Sequence, residues 1–284
     1  MSIDLHTHTN FSDGSLSPQA LIDLAVERKI DVLAITDHDE VGALHSAFEY
    51  ATHLPIEIVS GVELSIAYNL PEQGHLHILG LFIDYQNEEL NDILDHLKQA
   101  RYDRIKTMVQ KMNSLGCDLD IDELDQNIGH GSAGRPHLAR MLVDKGMVKD
   151  VPEAFSKFLS KGRPAYVPKK KLSAESAIHL IHCAGGLAIA AHPFSLGFST
   201  YPEVGIEILK LKALGLDGLE VYYTSHNAYI TNWLLDFARE NGLLISGGSD
   251  FHGDPRLEIQ LGSGLGNLDI PYSVFENLKN YFEH

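Results

Sequence analysis

His6 and His8 flank Thr7 at the end of the apolar run that opens with Ile3-Asp4-Leu5. In an extended strand, residues i and i+2 share a face. Both imidazoles can therefore aim at one point, as metal coordination requires. A lone His-x-His is usually an ordinary polar pair at a strand end, but here the arrangement recurs. Apolar runs end again in His38, Glu63, His77, His192, Asp250 and His252, and Asp13 lies in the loop just past the first run. The set mixes imidazoles with carboxylates and holds no thiolate, which suits Zn, Mn or Fe. Carboxylates can bridge ions, so these nine donors could hold two or three divalent metals.

The elements that must position them follow from periodicity. Asn10–Gly14 reads as a loop, and Ser17-Pro18 as an N-cap with proline at the first helical position. A helix is expected to about Lys29, a strand over Asp31–Ile35, and a helix over roughly Val41–Thr52. Strands follow at Ile56–Tyr68 and His75–Leu81. The pattern then changes to a long amphipathic helix, about Asn87–Leu115, with Leu90, Ile93, Leu94, Leu97, Ile105, Met108, Val109 and Met112 on one stripe. Shorter helices are expected near Arg135–Lys145 and Val151–Ser160. Strand–helix alternation resumes after Pro168, with strands at Leu187–Ala191, Asp217–Tyr222 and Leu243–Gly247. A closing helix covers Pro271–Phe282. The expected fold class is α/β with a parallel sheet, whose strand C-termini gather on one face. Residues 1–99 and 166–284 are expected to build a barrel, and 100–165 a helical insertion.

The composition is ordinary for a globular chain: 284 residues, 44% hydrophobic and 21% charged, with sixteen histidines. The formal charge of −17 argues against wrapping long duplex nucleic acid, because phosphate contacts need Lys and Arg. That charge is uneven. Residues 101–171 hold 14 of the 22 basic residues but only 9 of the 39 acidic ones, a local balance of +5. A basic module in an acidic body suggests that the insertion meets an anionic substrate, although solvated helix faces would read the same way. No apolar run approaches the roughly 20 residues of a membrane span. No basic-then-apolar leader precedes the first strand. Cys117 and Cys183 lie far apart, form no CxxC, and are expected as small core residues. A cytoplasmic location is the expectation, and no membrane or protein partner is implied.

His6-Thr7-His8, Thr36-Asp37-His38-Asp39, Gly61-Val62-Glu63, His77, Ala191-His192-Pro193 and Gly248-Ser249-Asp250-Phe251-His252 together resemble the PHP (polymerase and histidinol phosphatase) superfamily. The resemblance implies a distorted seven-stranded (β/α) PHP barrel carrying a small helical insertion domain and a trinuclear site. By motif, one metal would take His6, His8, Glu63 and Asp250. A second would share Glu63 and take His77 and His192. A third would take Asp13, His38 and His252. Phe11-Ser12-Asp13-Gly14, Gly134-Arg135-Pro136-His137 and Val221-Tyr222-Tyr223-Thr224-Ser225-His226 are similar to stand-alone PHP phosphoesterases. Those remove the 3′-phosphate of 3′,5′-nucleoside bisphosphates, and some trim RNA from its 5′ end. Histidinol-phosphate-type and polymerase-embedded PHP domains fit less well.

The implied chemistry is phosphoester hydrolysis on a nucleotide or short RNA. Two metals about 3.5–4 Å apart can hold a bridging hydroxide and aim it at phosphorus. His8, Glu63 and Asp250 are its expected catalytic ligands. Arg135 follows the glycine-rich stretch 129–134 at a helix start, where a guanidinium and the helix dipole can bind phosphate together. The competing reading for Arg135 is a surface helix residue. His226 can position phosphate or protonate the leaving oxygen, or it can simply cap the helix that follows. His45, His53, His96, His179 and His182 fall on expected helices and are read as non-ligands. His75 shares a face with His77, which takes the ligand role because it precedes Ile-Leu-Gly. An amidohydrolase also opens with His-x-His, but it commonly uses a strand-end lysine, and no expected strand here ends in Lys. A non-catalytic metal-stabilised module would have no need of the full donor set.

Overall fold

The computed structural model describes residues 1–72, 74–123 and 134–284. The chain divides into two units, Met1–Asp92 with Lys171–His284, and Ile93–Lys170. Residues 100–165, read as a helical insertion from the change to a helical pattern, lie within the second unit.

The first unit carries β1 (Ser2–Asp4), α1 (Pro18–Glu27), β2 (Ile30–Ile35), α2 (Ala43–Ala51), β3 (Glu57–Ala67) and β4 (Leu76–Leu81). α3 (Glu88–Ser114) leads out of it. Helices start where side chains can satisfy their free N–H groups. Ser17 Oγ accepts from Ala20 N at 3.2 Å at the head of α1. The sheet order is β1-β2-β3-β4-β6-β7-β8, with the two-residue β5 (Leu172–Ser173) added on β3. The strands after the insertion are β6 (Leu187–Ala190), β7 (Gly218–Tyr223) and β8 (Leu244–Gly248). The two edges of this path are joined. Leu5 N donates to Gly247 O at 3.2 Å, Asp250 N to His6 O at 2.9 Å and His8 N to Phe251 O at 2.9 Å.

Among the described residues the path holds seven strands, as expected, with β5 lying off it. The sheet departs from expectation in being mixed rather than parallel. β4 runs antiparallel to both β3 and β6, with Glu63 opposite Leu79 and Ser65 opposite His77. The eight residues between β3 and β4 form a reversal, not a crossover, and a crossover of a dozen or more residues is what parallel pairing demands. The reversal also moves His77. It sits at the N-terminal end of its strand, the end that an antiparallel strand presents alongside the C-terminal ends of its neighbours.

The core of this unit is aliphatic, built from Ile3, Leu5, Val32, Val59, Leu79, Leu81 and Ile189, with Phe275 and Leu278 laid over it from the last helix. The helices here are α6 (Ala174–Cys183), α7 (Tyr201–Ala213), α8 (Ala228–Glu240) and α9 (Tyr272–Phe282). In the second unit, Ile105, Met108, Val109 and Met112 repeat at helical spacing along α3. They pack with Leu138, Met141 and Leu142 of α4 (Arg135–Asp144). α5 (Val151–Ala154) continues as a π turn over Phe155–Leu159, so the single helix expected to Ser160 is two pieces. Among the described residues, no helix is long and apolar enough to cross a membrane. Both cysteines are free. Cys117 is half-buried but Cys183 is exposed, so the second is no core residue.

Candidate metal centre

The chain past β1 stays extended. Thr7 turns outward, its Oγ1 donating to Ala34 O at 2.6 Å, and pairs in parallel with Phe251. His6 and His8 therefore point together to the other side, their ring centroids 5.2 Å apart. Glu63 comes from the middle of β3 and pairs in parallel with His38. Asp250 and His252 follow β8, and His192 follows β6. Three of these turns need left-handed backbone at a residue with a side chain: Asp39 (φ +52), His192 (φ +30) and Asp250 (φ +57). Such strain persists only where surrounding structure holds it, and it tends to gather at functional sites.

Glu63 is the centre of the cluster and is 1% exposed. Its Oε1 lies 2.8 Å from His77 Nδ1 and 3.0 Å from His192 Nε2. Its Oε2 lies 3.0 Å from His38 Nδ1, 3.3 Å from His8 Nε2 and 3.4 Å from His6 Nε2. The two oxygens thus face two different groups of imidazoles, the geometry a bridging carboxylate needs. Asp250 Oδ1 lies 3.2 Å from His8 Nε2 and 3.5 Å from His6 Nε2. On the far side of His8, Asp13 sits 3.2 Å from His252 Nε2 and 3.7 Å from His38 Nε2.

Whether these donors fit metal ions is tested by their unused valences. His6 Nε2, both ring nitrogens of His8, His38 Nδ1 and Glu63 Oε2 are buried and make no hydrogen bond. Buried polar atoms are nearly always satisfied, so five together mark a place for another group. The spacing agrees. Bonds of about 2.0–2.1 Å to one tetrahedral ion put donors about 3.3–3.4 Å apart. The donor atoms of His6, His8, Glu63 and Asp250 lie within 4.8 Å of one another, as do those of His8, Asp13, His38 and His252, and those of His38, Glu63 and His77.

Several ring orientations are fixed from behind. His6 Nδ1–H donates to Glu220 Oε1 at 2.9 Å. His192 Nδ1–H donates to Ser195 Oγ at 2.6 Å, and that hydroxyl in turn donates to His75 O at 3.2 Å. His252 Nδ1–H donates to Asp250 O at 2.8 Å. Each bond places the proton on Nδ1 and leaves the Nε2 lone pair for the cluster.

The field is strongly anionic. Burial works against charge on His8, but the adjacent Asp250 and Glu63 carboxylates pull its pKa up to about 10. Burial likewise opposes charge on His6, yet Glu220, Glu63 and Asp250 raise it well above the ordinary value. Burial would raise Glu63, but His38, His77 and His6 hold it well below the carboxylate range. Asp250 and Asp13 are lowered in the same way, against their burial, by the imidazoles that face them. Burial pushes His77 down to about 3, with the charges of His38 and His192 adding to it and Glu63 opposing, so His77 is neutral as a ligand must be. A field that favours extra protons also favours a dication, which takes their place.

The cluster forms the floor of a cavity of about 340 Å³. Its wall holds residues that strand-end patterning misses. Arg256 Nη1 donates to Asp250 Oδ2 at 2.7 Å, and Tyr223 Oη donates to the same oxygen at 2.9 Å. Arg256 is the only lysine or arginine on this wall among the described residues. Its one sequence signal is closeness to the Asp250 motif. Glu220 gave only a weak signal, a carboxylate inside an apolar strand. His75, set aside above, also lines the cavity, its ring 5.1 Å from that of His77. His226 lines it too. Its Nδ1–H donates to Val221 O at 2.9 Å and its Nε2 has no partner. Arg135 belongs to the second unit. There its Nη1 donates to Leu159 O at 3.3 Å, and its guanidinium lies over Phe155 at 5.4 Å. The glycine-rich approach at 129–133 lies outside the described residues.

A mixed α/β sheet that gathers imidazoles and carboxylates at one end of its strands defines a metal-binding α/β scaffold. Residues 4–124 match the PHP domain family, and this chain belongs to that family. It is 35% identical, over 88% of its length and 87% of the relative's, to the 3′,5′-nucleoside bisphosphate phosphatase of Chromobacterium violaceum. It is 34% identical to a 5′-3′ exoribonuclease of Haemophilus influenzae, over 96% of this chain and 97% of that one. Among solved structures, a candidate metal-dependent phosphoesterase from Bifidobacterium adolescentis superposes with a TM-score of 0.80 at 28% identity. That match covers 97% of this chain and 94% of the other.

Proposed function

We propose that this protein is a metal-dependent phosphoesterase that hydrolyses the 3′-phosphate of 3′,5′-nucleoside bisphosphates. The observation that carries the reading is Glu63, a buried carboxylate whose two oxygens face separate sets of imidazoles at the floor of an open cavity. The similarity to the bisphosphate phosphatase supports the choice of substrate. His6, His8, Glu63 and Asp250 would hold one ion, Glu63, His77 and His192 a second, and Asp13, His38 and His252 a third. Bound there, Mn, Zn or Fe supplies Lewis acidity and an acidified water as nucleophile. The chain does the rest. Arg256 keeps a positive charge at the cavity wall, where it neutralises Asp250 and meets an incoming phosphate. Phe194 forms an apolar part of the wall, backed by Tyr201 and Trp233, on which a nucleobase stacks. Arg135, on the second unit, is a proposed phosphate-binding residue on sequence grounds.

In the reaction, water oxygen bonds to phosphorus, the bond from phosphorus to the 3′ oxygen breaks, and that oxygen takes a proton. His226 has Nε2 left for the substrate once Nδ1 is committed to Val221 O. Burial lowers its pKa, so it donates a proton only on the acid side of neutrality. If it is the acid, activity falls as pH rises through that pKa, and His226→Gln removes the limb.

The test is steady-state phosphate release from adenosine 3′,5′-bisphosphate by metal-loaded protein, against adenosine 3′-monophosphate and p-nitrophenyl phosphate. Preference for the bisphosphate is expected, and equal turnover of all three would overturn the substrate assignment. The exoribonuclease similarity favours a second reading, stepwise trimming of short 5′-phosphorylated RNA. Mononucleotide release from such an oligomer distinguishes it.

A further inference from the structure

α6 presents His179 and Cys183 one turn apart on its exposed side, with Cys183 Sγ 3.4 Å from His179 Nε2. Glu89, in the first turn of α3, brings a carboxylate to the same place, and the three donor atoms all lie within 4.8 Å of one another. Backbone bonds set this meeting. Asp84 N donates to Ala184 O at 2.7 Å, and Asn87 Nδ2 donates to Cys183 O at 3.1 Å. The start of α3 is thereby fastened to the end of α6.

The spacing has a chemical meaning. A tetrahedral ion with a sulfur ligand at about 2.3 Å and a nitrogen at about 2.0–2.1 Å separates the two donors by about 3.6 Å. The Cys183–His179 distance is close to that edge. A cysteine–histidine hydrogen bond would need no third group, whereas here a carboxylate converges from another helix. The donors are thiolate, imidazole and carboxylate, a set that selects thiophilic first-row dications.

We propose that Glu89, His179 and Cys183 form a second metal site, sharing no residue with the cavity cluster, that takes Zn²⁺ or a similar thiophilic dication. Water fills the fourth position. On binding, the Cys183 thiol gives up its proton to solvent as the sulfur–metal bond forms. The site does not depend on the substrate assignment above.

Cobalt provides the test, because the cavity cluster contains no sulfur. Co²⁺ is titrated into the metal-loaded protein while the near-ultraviolet sulfur-to-cobalt charge-transfer band is followed. The band is expected to saturate at one cobalt per chain, to be displaced by Zn²⁺, and to vanish in Cys183→Ser but not in Cys117→Ser. His179→Ala and Glu89→Gln should each weaken cobalt binding at least ~10-fold. Phosphoesterase activity of Cys183→Ser should be unchanged, which also shows that the variant is folded. No band in the wild-type protein, or a band that survives Cys183→Ser, overturns the proposal. So does one indifferent to both the His179 and Glu89 variants, which would report a lone thiolate.

Discussion

At the scale of single residues, Glu63 is where burial and charge compete hardest. A buried carboxylate without partners costs several kcal/mol, and this one is held ionised by five imidazoles. Glu63→Gln keeps the shape and removes the charge. Turnover is expected to fall at least ~100-fold, with metal content falling alongside, as elemental analysis would show. Near-normal kcat would contradict the bridging role. Glu220 should behave differently, because it orients His6 and touches no cavity. Glu220→Gln is expected to weaken metal affinity by roughly 10- to 100-fold and to recover activity when metal is added in excess. Arg135 is read by substrate comparison. If it reads the second phosphate, Arg135→Ala loses roughly 10- to 150-fold in kcat/KM on the bisphosphate, as loss of ~1.5–3 kcal/mol of charge-assisted bonding implies. A plain monophosphate is then spared. Equal losses on both would place it on the phosphate being cleaved.

At the scale of elements, α4 carries a pH prediction. Its first turn is closed by His137 Nδ1, which accepts the Gly134 N–H at 3.2 Å. Burial holds the His137 pKa below the ordinary 6.5. The unfolded chain therefore takes up its proton first as pH falls. The contribution is present above the unfolded value and is lost as pH falls toward the folded one. Amide exchange of Leu138 and Ala139 should speed up from neutral to mildly acid pH relative to His137→Gln, which keeps an acceptor and does not titrate. The ends of β1, β2, β6 and β8 were legible because their apolar runs halt at ligand-type residues, and the start of α1 was legible because Ser17 caps it. The direction of β4 was not. An apolar strand reads the same either way, and only the brevity of the connection before it signals reversal. Glu220 escaped because orienting a ligand requires a neighbour distant in sequence, which spacing does not encode. Gly248 belongs here too. A Cβ there would collide with the backbone and Cβ of His6, so Gly248→Ala should push β1 from β8 and lower both Tm and metal occupancy.

At the scale of the whole molecule, the donor count predicts stoichiometry. No single ion uses nine ligands, so protein purified without chelator should carry two to three first-row metals in the cavity cluster, measured in Cys183→Ser to exclude the exposed site. Full activity with one or none would sink the trinuclear arrangement. Removing metal leaves clustered carboxylates and imidazoles unneutralised, so chelation should lower Tm, and hydrogen exchange should localise the loosening to residues 1–92 and 171–284. Among the bonds that close this unit is Ser249 N to Asp4 at 2.8 Å, between residues 245 positions apart, and Gly262 N donates to the same carboxylate at 2.8 Å. In the chain-entropy treatment, a permanent link closing a loop of that length would remove about 5.5 kcal/mol of unfolded-state freedom. A few hydrogen bonds must do this work together with the sheet edge they join. The consequence reaches into biosynthesis. On a nascent chain, His6 and His8 leave the ribosome long before Asp250 and His252. Until those emerge the donor set is incomplete and β1 has no partner on the β8 edge, so the centre assembles only after synthesis has passed Asp250 and His252.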